Sequence, residues 1–163
     1  MEGNVRRLTV DAEGKQLLCI VAQAQCGRAG AHCGAICDGG MPTFMLTHWT
    51  RDRVRGPKLP LEHIIWRQTS ETAQTFGLCD RGVLRPGYRA DVNLIDYDRL
   101  GFERPQVVHD LPAGGRRLLQ RARGYVATLV AGEVVTENDQ LTGALPGRLI
   151  RGARATPSIR KCA

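Results

Sequence analysis

The most informative segment of the sequence is Asp80-Arg81-Gly82-Val83-Leu84-Arg85-Pro86-Gly87-Tyr88-Arg89-Ala90-Asp91-Val92-Asn93-Leu94-Ile95-Asp96. It predicts a strand, a turn and a second strand over residues 82–97. The Pro86-Gly87 pair is typical of a type II turn, because glycine tolerates the positive φ that this turn needs. The second strand is indicated by alternation, with Ala90, Val92 and Leu94 on one face and Asp91 and Asn93 on the other. A half-buried strand has this pattern, so we expect the apolar set to face the core.

Just before this stretch, residues 60–77 predict a helix. Pro60 suits a first-turn position, and Gly77 suits the C-terminal stop. We expect Ser70 to cap a second helical turn through its hydroxyl. The apolar positions that share one helical face are Leu61, Ile64 and Ile65. This face predicts packing against a neighbouring layer.

The N-terminal part of the chain is less regular. Residues 1–27 contain one apolar run, Leu17–Ala22, which suits either a buried strand or a short helix. Residues 29–57 are predicted to be loop-like, with Pro42 preventing a regular continuation. Within them, residues 44–49 are apolar enough to form a short helix.

On the C-terminal side, residues 99–123 are predicted to be irregular because of their prolines and glycines. Residues 125–137 predict a hairpin, with Ala131-Gly132 in its turn. We expect the basic tail after Gly152 to be disordered.

Length and composition fit one globular domain. The chain has 163 residues, of which 42% are hydrophobic and 24% charged, as in soluble domains. Its net charge of +7 favours anionic partners, but a solvated arginine-rich surface explains the charge equally simply. We expect no nucleic-acid partner, because no aromatic platform or recognised motif accompanies the charge.

The six cysteines are expected to be reduced, since neither a signal peptide nor a membrane span is evident and we expect a cytoplasmic protein. Cys26, His32, Cys33 and Cys37 are close in sequence and invite a zinc hypothesis. Their spacings lack the C-x₂-C pairs of structural zinc sites, so we expect ordinary thiols instead.

Taken in order, several stretches resemble one family, the N-acyl-D-amino-acid deacylases (D-aminoacylases) of the amidohydrolase superfamily. The resemblance covers roughly residues 29–152, which match only the C-terminal portion of such an enzyme. The matching stretches are Gly30-Ala31-His32-Cys33-Gly34-Ala35, Leu46-Thr47-His48-Trp49-Thr50-Arg51-Asp52-Arg53, the predicted helix 61–77, residues 80–96, and Thr142-Gly143-Ala144-Leu145-Pro146-Gly147-Arg148-Leu149-Ile150-Arg151.

The resemblance implies an α/β fold: the C-terminal remnant of a (β/α)₈ barrel plus the C-terminal strands of a composite β-sandwich. It implies four segments. These are a non-matching segment (1–28), the loop and helix after the last barrel strand (29–80), the sandwich portion (81–152) and a basic tail (153–163). A whole barrel takes about 250 residues, so this chain is too short to hold one.

The resemblance also implies chemistry that this chain lacks. Intact relatives hydrolyse N-acyl-D-amino acids with zinc-activated water and a general-base carboxylate. The Ser-Asp pair that carries this carboxylate corresponds to Gly27 and Arg28 here, and arginine cannot accept the proton. Residues 1–27 supply no matching zinc ligands either, so we expect no catalytic residue, no bound zinc and no turnover. A truncated or frame-shifted gene would account for the abrupt loss of similarity.

By resemblance, His32 and Arg51 are the candidate substrate-binding residues, with Arg53 as a further fork of donors for a carboxylate. The competing interpretations are a loop-bracing hydrogen bond for His32, and surface ion pairs of the two arginines with Asp52 or other loop carboxylates. Two functions stay open: a hydrolase fragment, and a non-enzymatic basic module that binds anionic partners. Because the matched elements would lack their barrel, we also expect self-association or partial disorder.

Overall fold

The structure, a computed structural model, describes the backbone of residues 5–8 and 17–21 and the whole of residues 39–157. Helices come first in the fully described part, and strands follow. The α-helices are α1 (Met41–Thr47), α2 (Leu61–Trp66) and α3 (Thr72–Thr75), and π-helical turns His48–Asp52 and Arg67–Glu71 continue α1 and join α2 to α3. We call residues 41–76 the helical layer.

The short helix predicted around residues 44–49 is confirmed, but it is longer than expected. It begins before Pro42, which lies in the first turn of α1. Proline is tolerated there because the first-turn N–H groups have no intrahelical partner. The expectation that Pro42 prevents regular structure was therefore wrong.

The helical segment over residues 61–76 is also confirmed, with its predicted stop. Gly77 has φ +67°, and the Leu78 N–H donates to the Ala73 carbonyl at 2.8 Å. The predicted cap at Ser70 was wrong. Ser70 is buried inside the π-helical turn, so the helix continues through this position and has no second start.

The described part of the chain contains ten strands, most of which belong to one sheet. Their bounds are β1 Val5–Leu8, β2 Leu17–Val21, β3 Val92–Asp96, β4 Gly101–Phe102, β5 Gln106–Leu111, β6 Gly115–Leu119, β7 Ala122–Arg123, β8 Tyr125–Val130, β9 Glu133–Glu137 and β10 Gln140–Leu141. The main sheet has the order β1-β2-β3-β8-β9-β10, and its neighbouring strands are antiparallel. Two smaller ribbons pair β4 with β7 and β5 with β6.

The apolar core lies between the helical layer and strand β3. Its members, each buried, are Leu46, Leu61, Ile64, Ile65, Ile95 and Leu100, with Tyr97 and Tyr125 among the side chains packed against them. The three apolar positions predicted to share one helical face are thus all in the core. Burying a side chain of this size stabilises the fold by about 1.5–3 kcal/mol.

Strand β3 is confirmed, but the predicted alternation was wrong at Ala90 and Asp91, just before the strand. Ile95 is 1% exposed and Asp91 5% exposed, whereas Ala90 is exposed. Within β3 itself, Ile95 is buried and Val92, Asn93 and Leu94 are all half-buried. The alternation of apolar and polar residues could not predict which side is buried, because the buried residue just before the strand is Asp91, a carboxylate with charged partners. The strand predicted before the turn is absent, since residues 82–91 contain no strand.

The type II turn itself is confirmed by Gly87, at φ +85°, and by a hydrogen bond of 3.1 Å from the Tyr88 N–H to the Arg85 carbonyl. The predicted hairpin over residues 125–137 is confirmed as well. Its two turn residues, Ala131 and Gly132, have φ +55° and +84°. Positive φ at both positions matches the twist of the flanking strands.

Residues 99–123 are not irregular as predicted, because β4 to β7 form there. Pro112 and Gly114, which suggested irregular structure, lie in the short connection between β5 and β6. In the N-terminal part, Leu17–Val21 adopts the strand alternative, and Val5–Leu8 is a strand that the sequence did not predict.

The predicted disorder after Gly152 does not hold at Arg154. Its N–H donates to the Gly77 carbonyl at 2.7 Å, and its carbonyl accepts from the Cys79 N–H at 3.1 Å. These bonds tie the tail to the end of the helical layer. In the part of the chain that the structure describes, no helix is long and apolar enough to cross a bilayer.

Candidate functional site

Arg51 lies on the π-helical turn that follows α1. Its guanidinium forms an ion pair with Asp52 at 2.7 Å and donates to the backbone carbonyls of Tyr97 and Leu100. The hydrogen bond from Arg51 holds the pKa of the Asp52 carboxyl below its usual value. This is the ion pair that the competing interpretation predicted, and it links the helical layer to the chain after β3. Contact between Arg51 and a substrate stays a prediction.

Arg53 stacks over Trp49, with its guanidinium carbon 4.6 Å from the ring centroid. The other residues that the sequence singled out for chemistry, namely His32, the three cysteines around it, Gly27 and Arg28, lie outside the described residues.

Metal-binding side chains are dispersed in the described part of the chain. Within residues 39–157, no three His, Cys, Asp or Glu side chains come together in a group that could hold an ion. Cys79, the free thiol described there, is half-buried. These residues do not fit the metal centre that the resemblance implies, so no catalytic step can be assigned to them.

The most elaborate polar arrangement lies in residues 79–91, which we call the junction loop. Arg81 donates through Nε and Nη2 to Asp80 at 2.8 and 3.2 Å and through Nη1 to Asp91 at 3.3 Å. Only 4% of the Arg81 side chain and 6% of the Asp91 side chain are exposed. A buried charge is tolerated only when it is paired and hydrogen-bonded, and both side chains meet that condition.

Asp91 has two further partners. Arg89 Nε donates to both carboxylate oxygens, at 2.8 and 3.0 Å. The N–H of Ala131, in the turn between β8 and β9, donates to Oδ1 at 2.8 Å. Asp91 therefore joins the junction loop to the opposite hairpin of the sheet.

Next to this network is a cavity of about 450 Å³. Its polar lining includes Arg81, Arg89, Asn93, Tyr125, Thr128 and Arg148. The Thr128 hydroxyl donates to Asn93 Oδ1 at 2.8 Å, and the Tyr125 and Thr43 hydroxyls bond to each other at 2.7 Å. Burial raises the pKa of the Tyr125 phenol, although its bond to Thr43 acts in the opposite direction. The phenol is therefore neutral at ordinary pH.

The sequence did not predict this cavity or the charges beside it. The signal was present, because Arg81 and Arg89 flank the Pro-Gly turn and Asp91 follows two residues later. A turn brings its two arms together, so opposite charges on those arms can pair. The alternation pattern instead predicted that Asp91 faces solvent, so its pairing with Arg81 and Arg89 was not predicted.

Comparison with known proteins adds to this geometry. The Amidohydrolase family matches residues 31–136, which is more than half of the chain, and the chain belongs to that family. Over 110 residues it is 33% identical to a D-aminoacylase from Alcaligenes xylosoxydans xylosoxydans, an alignment that covers 65% of this chain and 19% of the relative. The chain therefore spans about a fifth of that relative's length.

Solved structures of D-aminoacylase are similar as well. One, described as defining a novel subset of amidohydrolases, matches at 30% identity with a TM-score of 0.47, over 63% of this chain and 19% of that one. Another, from work on the functional role of the binuclear metal centre in D-aminoacylase, has a TM-score of 0.48 with the same identity and coverage. The family match over residues 31–136 confirms the predicted family, and the described residues contain the expected mixture of helices and strands.

Proposed function

We propose that this chain carries the closing portion of an N-acyl-D-amino-acid deacylase and has no hydrolase activity by itself. The observation that carries the proposal is the continuous family match from residue 31 to residue 136. In this proposal residues 29–80 correspond to the loop and helix after the last barrel strand. Residues 81–152 correspond to the C-terminal strands of the β-sandwich, residues 1–28 do not match, and residues 153–163 are a basic tail.

The proposed inactivity rests on chemistry. Gly27 and Arg28 occupy the positions of the Ser-Asp pair, so no carboxylate is available there to move a proton. The described residues offer no group of three metal-binding side chains, and relatives are proposed to use zinc. The proposed substrate class of the complete enzyme is N-acyl-D-amino acids, with His32 and Arg51 near the substrate and the protein in the cytoplasm.

The first test is amine release from N-acetyl-D-amino acids by the purified 163-residue chain with added zinc. We expect none above the blank, with the whole Alcaligenes D-aminoacylase as positive control. Turnover that stays with the protein through purification and disappears with a chelator would contradict the proposal.

A second test addresses the family role directly. Residues 31–136 of this chain would replace their aligned counterpart in the Alcaligenes D-aminoacylase, which keeps its own barrel strands. We expect a folded chimera that still releases amine. A matched chimera with Asp91→Ala should lose stability but keep the same chemistry. A folded chimera without activity would count against the proposed equivalence.

Self-association follows from the same proposal, because the elements would have lost the barrel they pack on. Large apolar side chains are exposed, including Val54 at 98%, Leu145 at 93% and Leu141 at 82%. Exposed apolar surface of this kind favours association. Light scattering should detect oligomers, and a monodisperse monomer with a cooperative melt would contradict this expectation.

The alternative is a basic module that binds anionic partners, and it depends on the net charge of +7. Much of that charge already has partners. The arginines in ion pairs within the described residues include Arg51, Arg67, Arg81, Arg89, Arg99 and Arg117. Binding to an anionic polymer should weaken steeply with salt, so retention on a nucleic-acid column at low salt would favour this alternative.

A further inference from the structure

The lining of the cavity beside the junction loop has more unused hydrogen-bond donors than unused acceptors. Asp91 is the carboxylate on its described lining, and both of its oxygens already accept hydrogen bonds from Arg89, one also from Arg81 and the other from the Ala131 N–H. Arg81 in turn uses all three of its nitrogens on Asp80 and Asp91. These groups neutralise one another and leave little capacity for a ligand.

Unused donors remain around them. Arg89 binds Asp91 through Nε, and within residues 39–157 its two Nη atoms have no hydrogen-bond partner. The same holds in that range for the guanidinium of Arg148, which is exposed at the cavity rim. Asn93 accepts from Thr128 through its oxygen, which leaves its Nδ2 group to donate. The free groups on the lining are thus dominated by donors, two of them cationic.

The rest of the lining is apolar. Phe102, Ala122, Val130 and Ile150 contribute to the walls, and the volume of about 450 Å³ lies in the range that holds small organic ligands. A bare inorganic anion would use the donors but leave these walls in contact with water. A small molecule with one carboxylate and an apolar body satisfies both parts, because guanidinium groups bind carboxylates through paired hydrogen bonds.

We propose that this cavity binds a small organic monocarboxylate, whose carboxylate lies between Arg89, Arg148 and Asn93 and whose apolar body lies against Phe102 and Ile150. The residues that would contact the carboxylate and the apolar body all belong to this chain. The site would operate in this chain whether or not a catalytic portion is present.

The test uses the full 163-residue chain and benzoate as the probe, with binding followed by NMR or calorimetry at fixed ionic strength. Benzamide has nearly the same shape without the charge, and inorganic phosphate has the charge without the apolar body. We expect benzoate to bind at millimolar concentrations or below, and both comparison compounds to bind more weakly. Equal binding of benzamide, stronger binding of phosphate, or no benzoate binding in that range would overturn the proposal.

Two variants localise the site. Arg148→Gln should weaken benzoate binding about tenfold, the usual effect of losing one charge-assisted hydrogen bond. Arg148 is exposed, so this change should leave the melting curve unaltered. Arg151→Gln is the matched control, because Arg151 is also exposed but does not line the cavity. If both changes weaken benzoate binding equally, the effect comes from the overall positive charge and not from this cavity, which would overturn the proposal.

Gln120→Glu offers an independent test, since Gln120 is on the lining and a carboxylate there would compete for the donors. We expect benzoate binding to be lost while the protein stays folded. Undiminished affinity in this variant would place benzoate elsewhere and also contradict the assignment.

Discussion

The helical layer and the junction loop both attach to the sheet, but they do so by different interactions. The helical layer contributes Leu46, Ile64 and Ile65 to an apolar core that includes Ile95 of β3. The junction loop attaches through Arg81 and Asp91, whose side chains are as deeply buried but charged. Truncating a buried apolar side chain leaves a cavity, whereas removing the main partner of a buried ion pair leaves an uncompensated charge, which costs more. The difference predicts which substitutions the fold withstands.

The largest effect should come from Asp91→Ala. This change leaves Arg81 buried without one of its carboxylate partners and frees the Ala131 N–H, and breaking such a pair from one side costs about 3–5 kcal/mol. Chemical denaturation followed by circular dichroism measures the loss. Asp98→Ala is the control, because Asp98 is exposed and should change stability by less than about 0.5 kcal/mol. Similar losses in both variants would show that Asp91 holds no buried network.

A double substitution tests the same buried ion pair. If Arg81→Met is added to Asp91→Leu, the buried charges of that pair are removed together. The double variant should then be more stable than Asp91→Ala, because no uncompensated Arg81 charge stays inside. If it is less stable, the junction loop depends on hydrogen bonds that apolar side chains cannot replace.

The two regions also differ in how far the sequence predicted them. The face formed by Leu61, Ile64 and Ile65 follows directly from helical spacing, and the Gly77 stop follows from its tolerance of positive φ. The burial of Asp91, just before β3, did not follow, because alternation counts Asp91 as a solvent-facing residue and cannot see the arginines that pair with it. Tertiary structure determines both the long-range partners of Asp91 and the cavity, so local sequence patterns could not predict them.

The strands between residues 101 and 123 were missed for another reason. Pro112 and Gly114 indicated irregular chain, yet they lie in one tight connection between β5 and β6. Much of this ribbon is exposed, including Val107 at 58%, so its strands lack a clear apolar face. A pattern that depends on burial cannot detect strands that bury little.

The next effect in size concerns the apolar side of the comparison. Ile65 is 1% exposed, and Ile65→Ala removes buried methyl groups and leaves a cavity, so we expect a loss of about 3 kcal/mol. Fluorescence of Trp49 and Trp66, both in the helical layer, would follow the transition. Val54→Ala is the control, since Val54 is 98% exposed. A loss below about 1 kcal/mol at Ile65 would mean that the helical layer is loosely packed on the sheet.

Gly82 lies where the two regions meet, and Gly82→Ala should cost about 2 kcal/mol. Its φ of +82° is unfavourable for alanine, and the added Cβ would lie 3.0 Å from Ala73 Cβ and 3.1 Å from the Ser70 Cα. Strain of this type costs about 1–3 kcal/mol. Gly147→Ala is the control, because nothing lies within 4 Å of the corresponding Cβ. If both variants match the parent chain in a urea melt, the close approach of the junction loop to the helices is not rigid.

The smallest effect should be at Asp80, at the accessible end of the charged network, where 26% of its side chain is exposed. Its hydrogen bond to Arg81 lowers the pKa of the Asp80 carboxyl below the unfolded value of about 3.9. A group with a lowered pKa stabilises the folded state above the unfolded pKa, and that contribution disappears as the pH falls through the folded pKa.

Asp80→Asn should therefore cost about 1 kcal/mol at pH 7, because Asp91 still pairs with the buried Arg81 and the Asn oxygen can still accept one of its hydrogen bonds. The cost should shrink as the pH falls below about 4. Urea melts of both proteins at pH 7 and pH 3 would measure it. Asp110→Asn is the control, because Asp110 pairs with Arg117 at 2.6 Å on the surface and should have less effect. A cost at Asp80 that persists unchanged at pH 3 would have to arise from lost packing instead of lost charge.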